Sequence, residues 1–225
     1  MRRPLQDCHS MKAYVITLSD KPESVEVADR CIKTGARFGT VVEKWNAYSP
    51  QMEDWEEVRT SLRHIPIDRF VEKYSRFENC LAAFYSHYSL WQHCVDIKED
   101  VLILEHDAVF NNFLPEVSFS GVMSFGKPSY GKYVTPPTIG RNKLISKQYL
   151  PGAHAYAVTP YAAKKLVDAA TMHAAPTDLY LSNANFNFIE EYYPWPISAQ
   201  DTFTTIQNET GCMAKHNNGP GYKVI

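Results

Sequence analysis

The apolar run at residues 101–104, with the sequence VLIL, constrains the fold of this chain more than any other segment. Four consecutive apolar residues between polar neighbours are typical of a strand that is buried on both faces. Such strands lie at the centre of parallel sheets whose two faces are covered by helices. Glu105, His106 and Asp107 follow the run directly, so the pattern predicts a central strand that ends in a polar cluster.

The rest of the chain alternates between strand-like and helix-like patterns. Apolar and β-branched runs predict further strands at residues 12–18, 39–47, 121–125, 155–159 and 186–192. Apolar residues at helical spacing predict helices at 22–33, 52–64, 78–97 and 160–170. This alternation predicts an α/β fold in which a mostly parallel central sheet is flanked by helices. We expect one domain over residues 12–210, a disordered polar leader over 1–11 and a C-terminal tail over 211–225.

Composition excludes several classes of protein. The chain has 225 residues, 44% of them hydrophobic, and a formal net charge of -2, so no strong basic field is available to attract nucleic acid. Its five cysteines contain no CxxC pair, which argues against a disulfide framework and a structural zinc site. No signal peptide and no membrane-spanning stretch of about 20 apolar residues is evident. We therefore expect a cytoplasmic, bacterial or viral protein, with peripheral membrane contact left open.

The polar cluster after residues 101–104 has the chemistry of a metal site. Ligands of open α/β sheets bind beyond the carboxyl ends of the strands, where Glu105 and Asp107 are expected. Two neighbouring carboxylates repel each other unless a cation compensates them. Oxygen ligands suit Mg²⁺ and Mn²⁺, and Mg²⁺ commonly joins one or two carboxylates to substrate phosphates. From the spacing alone, an ordinary polar loop is the more frequent explanation of such an acidic pair.

The segment 78–110 resembles the central block of glycosyltransferase family 25, which includes lipopolysaccharide sugar transferases and collagen galactosyltransferases. The signature of that family is a helix that carries Ser-His and then Leu-Trp, followed by an apolar strand that ends in Glu-Asp-Asp. In this chain Ser86-His87, Leu90-Trp91 and Glu105-His106-Asp107 occupy those places. Weaker matches at 13–24, 151–169, 176–178 and 204–206 occur in the same order as in the family. The chain departs from the family pattern at His106, and its first loop offers Lys21 where the family has an arginine.

The resemblance implies a single GT-A-like domain that transfers a sugar, galactose or glucose, from a UDP-sugar to a hydroxyl of a glycan or lipopolysaccharide-type acceptor. It further implies an inverting reaction that depends on Mn²⁺ or Mg²⁺. The residues expected to contact the donor are Thr17, Leu18, Ser19, Lys21, Ser86, His87, Glu105 and His106. The expected metal ligands are Asp107, Glu105 and His154, with His216 as a second choice for the third ligand. The candidates for the general base are Asp178, Glu190 and Asp201.

Several alternatives stay open at this point. The acceptor could be a modified base in nucleic acid, or the chain could bind a sugar nucleotide without catalysing transfer because of the change at His106. His87 could be a core histidine, and Ser86 could simply bond back to its own helix. Asp178 could be the N-cap of a helix at 179–184 instead of a base.

Overall fold

A computed structural model describes residues 11–70, 75–200, 203–207 and 223–225 of the chain. Within these residues the chain forms eleven strands, five α-helices and a 3₁₀ helix at Asp68–Phe70. The predicted leader, except Met11, and most of the predicted tail lie outside the described residues. The same holds for two candidate site residues, Asp201 and His216.

The elements follow one another in an alternating α/β order. The helices are α1 (Pro22–Arg37), α2 (Trp55–Ser61), α3 (Phe77–Ile97), α4 (Pro160–His173) and α5 (Thr177–Tyr180). The first strands are β1 (Lys12–Thr17), β2 (Val42–Asn46), β3 (Val101–Glu105), β4 (Ala108–Phe110), β5 (Val122–Ser124) and β6 (Gly140–Lys143). The later strands are β7 (Ala155–Val158), β8 (Ile189–Tyr193), β9 (Ile197–Ala199), β10 (Phe203–Thr204) and β11 (Lys223–Val224).

Seven strands form one sheet in the order β2-β1-β3-β7-β5-β8-β6. The strands β2, β1 and β3 pair in parallel, as do β5 and β8, whereas β7 is antiparallel to both of its neighbours and β6 is antiparallel to β8. Five of the seven strands therefore run in one direction. This arrangement confirms the predicted α/β class and the predicted central position of residues 101–104.

The two faces of the sheet pack against different hydrophobic clusters. Val101 and Ile103 of β3 belong to the cluster that also contains α3 and α4, whereas Leu102 and Leu104 belong to the cluster on the side of α1. All four of these side chains are completely buried. Because successive strand residues point to opposite faces, burial on both sides requires the uninterrupted apolar sequence VLIL.

Helix α3 is the largest contributor to the core. Its residues Phe84 and Trp91 are fully buried and pack edge to face, and Trp91 stacks on Tyr180 of α5. Apolar residues therefore occupy most of the circumference of α3, as expected for a helix that is packed on several sides.

The predicted elements agree with the structure except in the second half of the chain. The helix predicted at 78–97 is α3 almost to the residue, and the helix predicted at 22–33 continues to Arg37. The region 126–152, predicted to be loop, contains the edge strand β6. The N-cap of the short helix α5 is Pro176, so the reading of Asp178 as the N-cap of a helix at 179–184 is wrong.

Within the described residues, none of the helices has both the length and the apolar character that are needed to cross a membrane.

Replacing Leu90 with alanine tests the importance of α3 for stability. Leu90 lies on α3 and is completely buried, so Leu90→Ala is expected to lower the free energy of unfolding by about 2–5 kcal/mol. Urea denaturation followed by circular dichroism measures the change. Met172→Ala on α4 is the control, because Met172 is 73% exposed and should change stability by less than about 0.5 kcal/mol. Similar losses for the two variants would contradict the assignment of α3 to the core.

Candidate functional site

A cleft opens where β1 and β3 end, against the first half of α3. Its empty volume, including space open to solvent, is about 830 Å³. One side is lined by residues after β1 and by residues where β3 ends. They are Leu18, Lys21, Glu105 and His106. One face of α3 lines the other side with Asn79, Ala82, Ala83, Ser86 and His87. The cleft therefore lies at the sheet edge where the sequence predicted a ligand site.

Ser86 holds the loop after β2 against α3 at the back of this cleft. Its hydroxyl donates to the carbonyl oxygen of Ala82 at 2.8 Å and accepts from the backbone N–H of Tyr48 at 2.9 Å. The first bond is the predicted bond back to the helix. The second fixes Tyr48, which also lines the cleft, so Ser86 shapes the wall of the cleft through the loop.

A buried chain of hydrogen bonds connects the core to Glu105 in the cleft. The Trp91 Nε1–H donates to the Tyr156 hydroxyl at 2.9 Å, that hydroxyl lies 2.9 Å from His87 Nδ1, and His87 Nε2 lies 3.1 Å from Glu105 Oε1. Trp91, Tyr156 and His87 are 1% exposed or less. His87 and Glu105 both line the cleft, and Glu105 is the more exposed of the two, with 28% of its side chain accessible.

The direction of these bonds assigns the tautomer of His87. Trp91 Nε1–H can only donate, so the Tyr156 oxygen accepts from it. The Glu105 carboxylate can only accept, so a neutral His87 gives it the Nε2 proton and accepts the Tyr156 proton at Nδ1. The neutral imidazole then carries its proton on Nε2 and donates it to the Glu105 carboxylate. Burial raises the pKa of Tyr156 well above its ordinary value, so the phenol keeps the proton that this arrangement requires. The carboxylate of Glu105 is thereby oriented through Oε1.

His106 is anchored to the first loop through Ser24. The Ser24 hydroxyl accepts from the Leu18 backbone N–H at 3.0 Å and lies 2.7 Å from His106 Nδ1. The hydroxyl either donates to Nδ1 or accepts from Nδ1–H, depending on the tautomer of His106. The ring also packs edge to face against Phe203, with centroids 5.2 Å apart.

Asp107 does not line the cleft within the described residues. Burial raises the pKa of the Cys31 thiol to about 12, and the Asp107 carboxylate adds to this increase. The Asp107 side chain is therefore near α1, where Cys31 is located. Its backbone oxygen accepts from Arg30 Nη2 at 3.4 Å and from the Gln200 N–H at 3.0 Å.

The backbone of His154 is hydrogen-bonded to the backbone of Glu105. Its carbonyl oxygen accepts from the Glu105 N–H at 3.0 Å. Its side chain is 2% exposed and lines a separate small cavity with Ser124 and Gly126. A Cβ atom at position 126 would come within 2.7 Å of His154 Nε2, so glycine at this position makes room for the imidazole.

The predicted set of metal ligands is therefore not assembled in the described part of the chain. No group of three or more His, Cys, Asp or Glu residues there is arranged to hold an ion. Glu105 alone among Glu105, Asp107 and His154 lines the main cleft. His216 lies outside the described residues, and the metal ion stays a prediction.

Six of the eight predicted donor-binding residues line the cleft, and the other two do not. Thr17 is buried, and its hydroxyl donates to the carbonyl oxygen of Val15 at 3.0 Å. Ser19 is exposed, and its hydroxyl donates to Asn46 Oδ1 at 2.7 Å. Both side chains support the loop after β1 instead of facing the cleft.

Asp178 belongs to a second polar cluster, away from the residues that line the cleft. The Tyr130 hydroxyl donates to Asp178 Oδ2, and the Leu179 N–H donates to Oδ1 at 2.9 Å. Burial, with the Asp178 carboxylate as the second cause, raises the pKa of Tyr130. The Lys147 ammonium lies over the Tyr130 ring, 4.9 Å from its centroid. The role of Asp178 as the general base stays a prediction.

The other two candidates for the base are not in the cleft as described. Glu190 accepts from Arg141 Nε at 2.8 Å on the outer strands of the sheet. The neighbouring Glu191 is 1% exposed and accepts from the Ile145 and Ser146 N–H groups at 2.7 Å each. These bonds give Glu191 a structural role, while Asp201 lies outside the described residues.

Three residues of the site carried no separate signal in the sequence. In the sequence, Tyr156 looks the same as the apolar residues of its predicted strand. Ser24 is an ordinary residue of a predicted helix, close to a proline. Arg76 lines the cleft as the N-cap residue of α3. Its position immediately before the helix that carries Ser86-His87 is the one feature that could have identified it.

A protein-family model, glycosyltransferase family 25 (LPS biosynthesis protein), matches residues 11–120, just under half of the chain. The matched segment includes β1, α3, β3 and the polar cluster at Glu105. The match confirms the predicted resemblance to this family over residues 11–120 and supports the prediction that the chain is a glycosyltransferase. No curated protein matches the sequence significantly.

Similar solved structures have low identity. A Drosophila beta-1,4-galactosyltransferase 7 mutant in complex with manganese, UDP-Gal and xylobiose has 12% identity and a TM-score of 0.37, over 69% of this chain and 51% of that one. This chain thus spans about half the length of that galactosyltransferase. A glycosyltransferase involved in glycosylation of the major capsid of PBCV-1 has 8% identity and a TM-score of 0.43, over 84% of this chain and 92% of that one.

A third similar structure, the CTP:phosphocholine cytidylyltransferase from Streptococcus pneumoniae, has 12% identity and a TM-score of 0.38, over 85% of this chain and 93% of that one. TM-scores at this level describe a partial likeness of fold, and no substrate is transferred from these proteins to this chain.

Replacing Tyr156 with phenylalanine tests the buried hydrogen-bonded chain. Tyr156→Phe removes the hydroxyl that partners both Trp91 Nε1 and His87 Nδ1, so we expect stability to fall by roughly 1–3 kcal/mol. Chemical denaturation measures the loss. Tyr161→Phe serves as the control, because Tyr161 is 63% exposed. Equal stability of Tyr156→Phe and the parent would show that the hydroxyl is not a required partner.

Proposed function

We propose that this glycosyltransferase binds a UDP-sugar in the cleft and transfers the sugar, with inversion, to a hydroxyl of a glycan or lipopolysaccharide-type acceptor. The observation that carries the proposal is the Glu105 carboxylate, which lies in the cleft at the end of the central strand and is oriented by His87. The match of residues 11–120 to glycosyltransferase family 25 supports this chemistry. We further propose a GT-A type of domain, because its donor would then bind at the carboxyl ends of the first parallel strands.

One side of the cleft is apolar and the other carries hydrogen-bond donors, which suits the base and the phosphates of a nucleotide sugar. Tyr48, Ala82 and Ala83 provide an aromatic and apolar wall on one side, which can pack against a base and a ribose. Lys21 and His106 lie on the side of the first loop, where an ammonium and an imidazole N–H can donate hydrogen bonds to phosphate oxygens. Donors fixed in a partly enclosed site stabilise the charge that develops on a departing diphosphate.

The proposal includes a divalent cation, Mn²⁺ or Mg²⁺, held by Glu105 and by the phosphates of the donor. Oε1 of Glu105 is bonded to His87, so Oε2 is the oxygen that His87 does not engage. One protein carboxylate together with substrate phosphates is a common way to bind Mg²⁺. Such an ion, when bound, neutralises negative charge on the diphosphate leaving group. Asp107 fits this role less well, because it does not line the cleft, and His154 faces a different cavity.

An inverting transfer also needs a base that accepts the proton of the attacking hydroxyl. We propose Asp178 for this role, with the hydroxyl of Tyr130 orienting its carboxylate. The aromatic rings of Tyr130 and Tyr149, with centroids 6.1 Å apart, provide a surface near Asp178 on which an acceptor sugar can pack. Glu190 and Asp201 remain the other candidates for the base.

The donor side is tested by a screen of UDP-, GDP- and CMP-sugars for hydrolysis that depends on Mn²⁺ or Mg²⁺. We expect hydrolysis of a UDP-sugar and a loss of more than about a hundredfold in Glu105→Gln, since even residues that only orient metal ligands are worth 10–100-fold. Asp107→Asn, measured alongside, is expected to lose less because Asp107 is outside the cleft. Undiminished hydrolysis in EDTA would exclude the metal, and binding of UDP without any turnover would indicate a sugar-nucleotide-binding domain without activity.

Replacing Asp178 with asparagine tests the acceptor side separately. Asp178→Asn keeps the shape of the side chain but removes the base, so transfer at saturating donor is expected to slow by roughly 10²–10⁴-fold. The affinity for UDP should change little, because Asp178 does not line the donor cleft. Asp168→Asn is the matched control, since Asp168 pairs with Lys164 on the exposed side of α4. A loss of donor affinity with an unchanged saturated rate would rule out Asp178 as the base.

A further inference from the structure

Arg76 places a second basic side chain in the cleft, next to the N-terminus of α3. The residue is the N-cap of this 21-residue helix and lines the cleft together with Lys21. Its backbone N–H donates to the Ile206 carbonyl oxygen at 2.7 Å, and its Nη2 donates to the Ile225 oxygen at 2.6 Å. These two bonds fix the backbone and one corner of the guanidinium.

Among the described residues, Arg76 forms no ion pair with an Asp or Glu side chain, and its Nη2 is bonded to the Ile225 oxygen. The nearest acidic residue along the chain, Glu78, is bonded to Arg59 at 3.2 Å and to Trp55 Nε1 at 3.0 Å. Glu105, the acidic residue of the cleft lining, is bonded to His87. The guanidinium of Arg76 is therefore a cation of the cleft lining that neither of these two carboxylates neutralises.

One donor of this guanidinium is also buried without a partner. Arg76 Nε is inaccessible to solvent and has no hydrogen-bond acceptor among the described residues. A buried donor without an acceptor is unfavourable, and the cost is larger for a charged group. An anion that binds in the cleft can pair with the guanidinium of Arg76, because guanidinium groups bind phosphate oxygens through paired N–H donors.

The position of Arg76 at the start of α3 favours the same kind of ligand. The N-terminus of a helix carries a partial positive charge, which adds to that of a nearby cationic side chain. Lys21, on the opposite side of the cleft after β1, supplies a further cation for the same ligand. Two cations that face one cleft suit a ligand with two neighbouring negative charges, such as a diphosphate.

We propose that Arg76 binds the diphosphate of the nucleotide-sugar donor, opposite Lys21, and so provides the guanidinium that the first loop of this chain lacks. This inference rests on the proposed function.

Calorimetric titration of the full chain with UDP, inorganic pyrophosphate and uridine tests the proposal. Arg76→Gln is expected to weaken the binding of UDP and of pyrophosphate roughly ten- to a hundredfold, as for the loss of hydrogen bonds to a charged group. Uridine, which has no phosphate, should bind as it does to the parent. Arg76→Lys keeps the positive charge but lacks the paired donors. Its affinities for UDP and pyrophosphate should therefore lie between those of the parent and those of Arg76→Gln.

Arg63→Gln is the matched control, because Arg63 is exposed and does not line the cleft. Thermal denaturation shows whether each variant is folded, and Arg76→Lys carries the test if Arg76→Gln is not. Affinities for UDP within twofold of the parent in folded Arg76 variants would overturn the role of Arg76 and leave the proposed function intact. An equal loss of uridine binding would overturn it as well, because the residue would then only shape the cleft.

The same titrations separate this inference from the proposed function. If the parent binds pyrophosphate and the Arg76 variants do not, but no nucleotide sugar is hydrolysed, the anion site stands and the glycosyl-transfer proposal fails. If the parent binds neither pyrophosphate nor UDP, the role of Arg76 is overturned together with the proposed donor.

Discussion

The hydrogen bonds that join Trp91, Tyr156, His87 and Glu105 connect the stability of the domain to the geometry of its cleft. Three of these four side chains are buried among apolar residues, where a polar group without a partner is costly. Each member is satisfied only if α3, β3 and β7 are packed in register. The same packing then determines where the Glu105 carboxylate enters the cleft. Orientation of Glu105 is therefore a consequence of core packing and needs no separate loop.

Periodicity predicted the parts of the fold that depend on local sequence. The run at residues 101–104 identified the central strand because burial on both faces excludes polar residues, and the apolar circumference of α3 identified the longest helix. The six predicted residues that line the cleft came instead from the resemblance to the family, and they lie after β1, on α3 and where β3 ends. The antiparallel orientation of β7 and the existence of the edge strand β6 depend on long-range pairing. The local sequence does not reveal such pairing. Arg76 and Tyr156 gave no signal for the same reason.

The separation of Glu105 from Asp107 shows why a spacing of two residues was not sufficient to predict the metal ligands. Residues i and i+2 share a face only while the strand continues. Here β3 ends at Glu105, and His106 and Asp107 form a turn before β4 begins at Ala108. The turn directs Glu105 towards α3 and Asp107 towards α1, where its carboxylate acts on Cys31. The acidic pair is thus adjacent in sequence but divided between the two faces of the sheet.

The two readings of His87, as a core residue and as a site residue, are compatible in this structure. Its ring is buried like a core histidine and stacks on Tyr156, with centroids 5.8 Å apart, yet its Nε2 reaches the cleft through Glu105. A carboxylate held in this way loses little conformational freedom when a ligand binds, so less of the binding free energy is lost to ordering. The cations of the cleft come instead from Lys21 and Arg76, which lie outside the strands. A rigid acid on the central strand with cations at the ends of two helices is an arrangement that can hold a charged diphosphate in one orientation.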